Sequence, residues 1–257
     1  MSEKITKIRE QVLKLKPYDD ILFEKLMEDI EVCQEILRVI LEDDELVVES
    51  VVPQNSIKNL QGRSVCLDAL CVLKDGTRCN VEVQKADNDS HIRRTRYHAA
   101  CITANITDPG ERFENVPNVC IVYISAFDLL KKKKTIYHVE SIVREIGDVL
   151  DNGLTIIFVN TEIYDGTNIS ELMKCFTQEI VKDEKFPALS KRVSYFKEEQ
   201  KGADTMCSII EDIVNEEKKE MILKLRARGV AYDIVAESSG MTVEQIRQIE
   251  EAALQMA

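Results

Sequence analysis

Between residues 18 and 41 the apolar positions Ile21, Leu22, Leu26, Ile30, Ile36, Leu37 and Ile40 follow a helical period, with the charges on the other face. Asp19 and Asp20 stand in the first turn, where carboxylates suit the positive end of the helix dipole. Three β-rich runs come next: 46–52, closed by Pro53, then 65–73, then 78–84. Asp75-Gly76 separates the last two and is a hairpin signal. Residues 91–106 read as a second helix, basic at its start and apolar later. The unbroken apolar run 119–127 has the length and composition of a strand covered on both faces. Further strands are predicted at 135–139 and 154–161. Helices are predicted at 170–181, 189–199 and 205–228, with Gly229 as the stop of the last. The order predicts an α/β protein, with a mixed core over 1–200 and a helical tail over 201–257.

The tail ends in two short segments that resemble a helix-turn-helix. Residues 230–239 form the first, Gly240 the turn, and Thr242-Val-Glu-Gln245 a capping box that opens the second. The second helix carries Glu244, Glu250 and Glu251 against Arg247 alone, a poor charge balance for a helix lying in a DNA groove. Packing or homo-oligomerisation through the tail is the expectation.

Chemistry enters at the hairpin. Asp68 and Glu82 are carboxylates in otherwise apolar strands, where an unpaired charge is costly and calls for a partner or a cation. Hard divalent cations such as Mg²⁺ or Mn²⁺ take oxygen ligands from one or two carboxylates plus water and substrate phosphate. Loop length decides whether the two acids can cooperate. A two-residue turn at Asp75-Gly76 puts Asp68 opposite Val83, with the carboxylates on opposite faces. A three-residue loop, Lys74-Asp75-Gly76 with Gly76 left-handed, puts Asp68 opposite Glu82 on one face. Asn80, Glu82 and Gln84 share a face by period two, which equally fits an edge strand with a solvated polar side.

Composition narrows the field. The 257 residues include 34 basic and 46 acidic side chains, for a net charge of −12, which on its face disfavours a nucleic-acid partner. The charge is uneven, however. Residues 19–49 hold twelve acids and two bases, whereas residues 58–100 hold eight bases and five acids. Arg93, Arg94 and Arg96, with Tyr97, mark a candidate DNA contact, and Lys131–Lys134 a second basic run that also reads as a solvated loop. The eight cysteines include no C-x-x-C pair, so buried thiols in a reducing cytoplasm are expected. His91, His98 and His138 are too dispersed to suggest a metal site or a triad. A polar N-terminal stretch and the lack of a long apolar run predict a cytoplasmic protein without membrane contact.

The order of these parts resembles a known family. A helix opening at Asp20-Ile-Leu-Phe23, then Asp68, then Glu82-Val-Gln84 across a hairpin, then an arginine-bearing helix and a buried strand, is similar to the PD-(D/E)XK nuclease superfamily. Within it, the bacterial recombination-promoting nuclease and transposase group is the nearest match, since its closing motif is often E-x-Q. The resemblance implies a restriction-endonuclease-like mixed sheet flanked by helices. It implies a Mg²⁺- or Mn²⁺-dependent DNA endonuclease associated with recombination or transposition. Asp68, Glu82 and the Val83 carbonyl would hold the metal, and Asp20 would help hold it or orient water. Gln84 would stand where the superfamily places a lysine, and Lys85 points to the wrong face to replace it. The alternative is a catalytically silent protein that keeps the nuclease fold and binds DNA or a partner.

Overall fold

The computed structural model describes residues 3–57 and 64–256; Lys58 and Arg63 of the basic window lie outside them. Two compact units emerge. Residues Leu13–Glu199 form the first, and helix α1 (Glu3–Lys14), as far as Val12, clusters instead with Gln200 and the helices beyond it. The two units part between Glu199 and Gln200 and again between Val12 and Leu13.

In the first unit the apolar pattern of residues 18–41 forms two helices, not one: α2 (Asp20–Met27) and α3 (Ile30–Ile40). The break falls at Asp29, whose carboxylate accepts a hydrogen bond from Glu31 N and caps α3. Both helices bury one face completely, through Leu22, Phe23, Leu26 and Met27, and through Val32, Cys33, Ile36, Leu37 and Ile40.

Six strands make one sheet: β1 (Val48–Ile57), β2 (Val65–Leu73), β3 (Arg78–Gln84), β4 (Val119–Ser125), β5 (Ile136–Val139) and β6 (Leu154–Asn160), in the order β1-β2-β3-β4-β6-β5. The pairs β3/β4 and β4/β6 are parallel and the rest antiparallel. Pro53 does not close the first strand. It lies inside β1, opposite Ala69, and is tolerated because β1 is at the sheet edge, where a missing N–H breaks no inner ladder. The edge-strand reading of residues 78–84 is overturned: β3 runs between β2 and β4, and its residues 79 to 83 are all buried.

Helix α4 (His91–Ile106) packs on the sheet through Ala99, Cys101 and Ile102, against Leu67, Val119 and Ile121. Helices α5 (Asn168–Phe176) and α6 (Pro187–Glu198) complete the unit, both in contact with α3. All eight cysteines are free thiols, six of them buried. Cys71, Cys79 and Cys120 sit side by side on three neighbouring strands.

The second unit comprises α1 as far as Val12, α7 (Gln200–Ala227), α8 (Tyr232–Ser239) and α9 (Val243–Met256). Ile222, Val235 and Ile246, one from each of the last three helices, form its terminal core. Gly240 closes α8 at φ +63°, a left-handed position suited to glycine, and the Thr242–Gln245 capping box forms as expected. Glu250 turns inward to Arg226 at 3.1 Å and Tyr232 at 2.6 Å. Among the described residues, no helix is long and apolar enough to cross a membrane.

Candidate active site

The β2–β3 loop is the three-residue one. The pairs Ala69↔Val81, Leu70↔Asn80, Cys71↔Cys79 and Val72↔Arg78 define the register, and Leu73 N donates to Thr77 O at 2.9 Å across Lys74-Asp75-Gly76. Gly76 takes φ +89°, and the Asp75 carboxylate accepts from Thr77 N and Thr77 Oγ1 at 2.9 Å each. One further step of this register sets Asp68 across from Glu82. There the ladder gives way to side chains: Val83 N donates to Asp68 Oδ2 at 2.9 Å, and Asp68 N to Glu82 Oε1 at 3.4 Å.

Glu82 is 1% exposed, a charge kept inside only because donors surround it. Asn80 Nδ2 donates to Oε1 at 2.8 Å, His98 Nδ1 lies 3.2 Å from the same oxygen, and Arg94 Nη2 lies 3.9 Å from Oε2. Burial and the Glu82 charge push the half-buried Asp68 carboxyl up to about 7, opposed by the Val83 N–H bond and the Arg94 charge. The Asp20 charge acts in the same direction as Glu82, so the α2 acid is within electrostatic reach of Asp68.

The two acids at the start of α2 are thereby distinguished. Asp19 is occupied, accepting from Lys16 N at 2.6 Å and from Lys85 Nζ at 3.0 Å. Asp20 is exposed in the first turn. Lys85 is thus engaged with Asp19. Gln84 closes the motif with its amide held at both ends, Oε1 accepting from Arg94 Nη1 at 3.2 Å and Nε2 donating to Ala86 O at 3.1 Å.

Helix α4 explains how the basic cluster divides. Arg94 and His98, one turn apart, both face Glu82, whereas Arg93 and Arg96 are exposed. Arg93, Arg94, Arg96 and Tyr97 line an open cavity of about 580 Å³, with Ser64 and Cys66 on the β2 side. Tyr97 is half-buried and packs against the α4 core cluster. The sequence pattern gave no sign of His98, because its partner lies 16 positions back on another element. His91 has no sequence signal either: it is buried, its Nδ1 lies 2.8 Å from Tyr123 OH, and its Nε2 lies 3.3 Å from Asp87 Oδ1. The run Lys131–Lys134 forms a turn wrapped around the Asp128 carboxylate, to which Lys131 N, Lys133 N and the Tyr137 hydroxyl all donate. Its four lysine side chains are exposed.

Among the described residues, no three His, Cys, Asp or Glu side chains form a closed metal cage. What exists is a more open oxygen set. One oxygen of each acid is anchored by protein donors. Asp68 Oδ1 and Glu82 Oε2 accept no hydrogen bond among the described residues, and both belong to hard, anionic donors of the kind Mg²⁺ and Mn²⁺ accept with water filling the remaining positions.

No curated protein or solved structure matches the chain. The family model for PD-(D/E)XK nuclease family transposases matches residues 17–178, from just before α2 to just after α5, and so spans the whole sheet and every residue of the Asp68–Glu82 site. The chain belongs to the PD-(D/E)XK nuclease family transposases.

Proposed function

We propose that the Asp68–Glu82 site hydrolyses phosphodiester bonds of DNA, as a metal-dependent endonuclease acting in recombination or transposition. The observation that carries this reading is the three-residue loop, which sets two carboxylates across from one another, with one oxygen of each accepting no hydrogen bond among the described residues. Asp68 Oδ1, Glu82 Oε2 and the Val83 carbonyl, at the end of the β2–β3 ladder, would hold Mg²⁺ or Mn²⁺. Such a cation would polarise a phosphoryl oxygen and make a bound water more acidic.

The remaining work falls to protein groups. Arg93 and Arg96 neutralise phosphates on either side of the scissile one, and Tyr97 stiffens the wall that carries them. Asp20, close to Asp68 and exposed, orients the attacking water. The water oxygen forms a bond to phosphorus and gives up a proton to solvent, the bond to the departing deoxyribose oxygen breaks, and that oxygen takes up a proton from solvent. The Asn80 hydrogen bond keeps Glu82 in one rotamer, so that its Oε2 points the same way in each turnover.

The test is nicking of supercoiled plasmid with Mg²⁺ or Mn²⁺ by the wild type, Asp68→Ala and Glu82→Ala. Each substitution is expected to lower the rate by about 1,000-fold or more, the scale at which losing an essential group acts. Equal residual nicking by all three proteins would remove these residues from catalysis.

A further inference from the structure

The E-x-Q motif leaves a charge missing: a glutamine cannot offset the negative charge that builds on a phosphate under attack. We propose that Arg94 supplies that charge as a catalytic residue, with Gln84 as its positioning residue. This inference rests on the nuclease reading of the Asp68–Glu82 site and names the cation that completes it.

Gln84 lies two residues beyond Glu82 on the same face of β3, and its amide is fixed in one sense. Nε2 is spent on Ala86 O, so Oε1 faces Arg94 and takes a hydrogen bond from Nη1 at 3.2 Å. The other terminal nitrogen, Nη2, lies 3.9 Å from Glu82 Oε2, the oxygen that accepts no hydrogen bond among the described residues. The guanidinium therefore spans both ends of the motif, with its charge where a lysine at position 84 would deliver one.

Arg94 also keeps an open side. Its side chain is 37% exposed and lines the cavity shared with Arg93 and Arg96. A guanidinium has five N–H donors, and Gln84 uses one, so donors remain for a phosphate entering from that cavity. The adjacent cation is unsuitable, since Lys85 is bound to Asp19 at 3.0 Å. A residue present only to neutralise Glu82 would not need an acceptor on Gln84 or a face on the cavity.

Two readouts separate this role from a structural one: steady-state nicking in Mn²⁺, and Mn²⁺ binding by calorimetry without DNA. R94Q is expected to lower kcat about 100-fold, the effect of removing one transition-state donor, with KM within about threefold of wild type. R94K should retain more activity than R94Q. The double variant Q84K/R94Q, which moves the positive charge to the strand, should recover about tenfold over R94Q. Mn²⁺ should bind R94Q about threefold more tightly, because a positive charge beside the carboxylates has been removed. Weaker Mn²⁺ binding by R94Q would mark Arg94 as a prop for Glu82 and overturn the proposal. So would R94Q turnover within threefold of wild type, or a double variant no faster than R94Q. Nicking lost in Asp68→Ala but kept in R94Q would overturn this inference alone, whereas a wild type that neither binds Mn²⁺ nor nicks takes both readings down together.

Discussion

Asp68 carries the strongest electrostatic conflict in the site, and its sign can be tested without DNA. Burial, with the Glu82 charge behind it, raises its carboxyl to about 7. An unfolded aspartate titrates near 4, so between about pH 4 and pH 7 the folded, metal-free protein holds more protons than the unfolded chain. Its stability therefore falls as pH rises through that window, and the penalty is complete above the folded value. Asp68→Asn keeps an oxygen for the Val83 N–H but has no charge to bury. In melting experiments with EDTA, its Tm should exceed that of wild type at about pH 8 and match it at about pH 4. A wild-type Tm at or above that of the variant at the higher pH would contradict the assignment. Adding Mn²⁺ should reverse the order at the higher pH, since only the wild type retains both carboxylates.

At the level of elements, the loop between β4 and β5 shows how an apparent basic patch can be a folding device. Lys131 and Lys133 have positive φ, at 55° and 57°, and their N–H groups converge on Asp128 with the Tyr137 hydroxyl. Burial works against the Asp128 charge, but the hydrogen bonds from Tyr137, Lys133 and Lys131 outweigh it and hold the carboxyl below its usual range. Asp128→Ala would leave those donors without their acceptor and is expected to cost about 2 kcal/mol in urea unfolding at neutral pH. A depressed carboxyl contributes stability above its unfolded value and loses it as pH falls through the folded one. The gap between wild type and variant should therefore narrow below about pH 4. A gap independent of pH would show that the carboxylate charge does not hold the turn.

For the whole molecule, the net charge of −12 conceals a division of labour. Acids crowd α2 and α3 and the connection to β1, while Arg93, Arg94 and Arg96 gather on one helix beside the cavity. Two arginine–phosphate contacts, from Arg93 and Arg96, predict a slope of about −2 for log K against log salt, which is shallow for a DNA-binding protein. Duplex binding followed by fluorescence anisotropy in Ca²⁺ should give that slope, and Arg93→Ala should reduce its size by about one. A slope unchanged by Arg93→Ala would remove that side chain from the phosphate contacts.

The chain's local pattern was enough to place the strands and most helices, because period 2 and period 3.6 are properties of neighbouring residues, but it left α1 as a polar stretch and ran α2 and α3 together. It also reduced the hairpin to two geometries and stated what each would do to Asp68 and Glu82. Tertiary structure decided what depends on distant partners. Sheet order made β3 an inner strand, covered on both sides where periodicity equally allowed a solvated face. Docking of α4 turned Arg94 and His98 toward Glu82 and left Arg93 and Arg96 outside, a distinction invisible in a run of three nearby arginines. Pairing with Lys85, 66 residues away, occupied Asp19 and left Asp20 exposed beside it. The elements follow from short-range side-chain direction, whereas the site follows from which faces meet when those elements bury their apolar sides together.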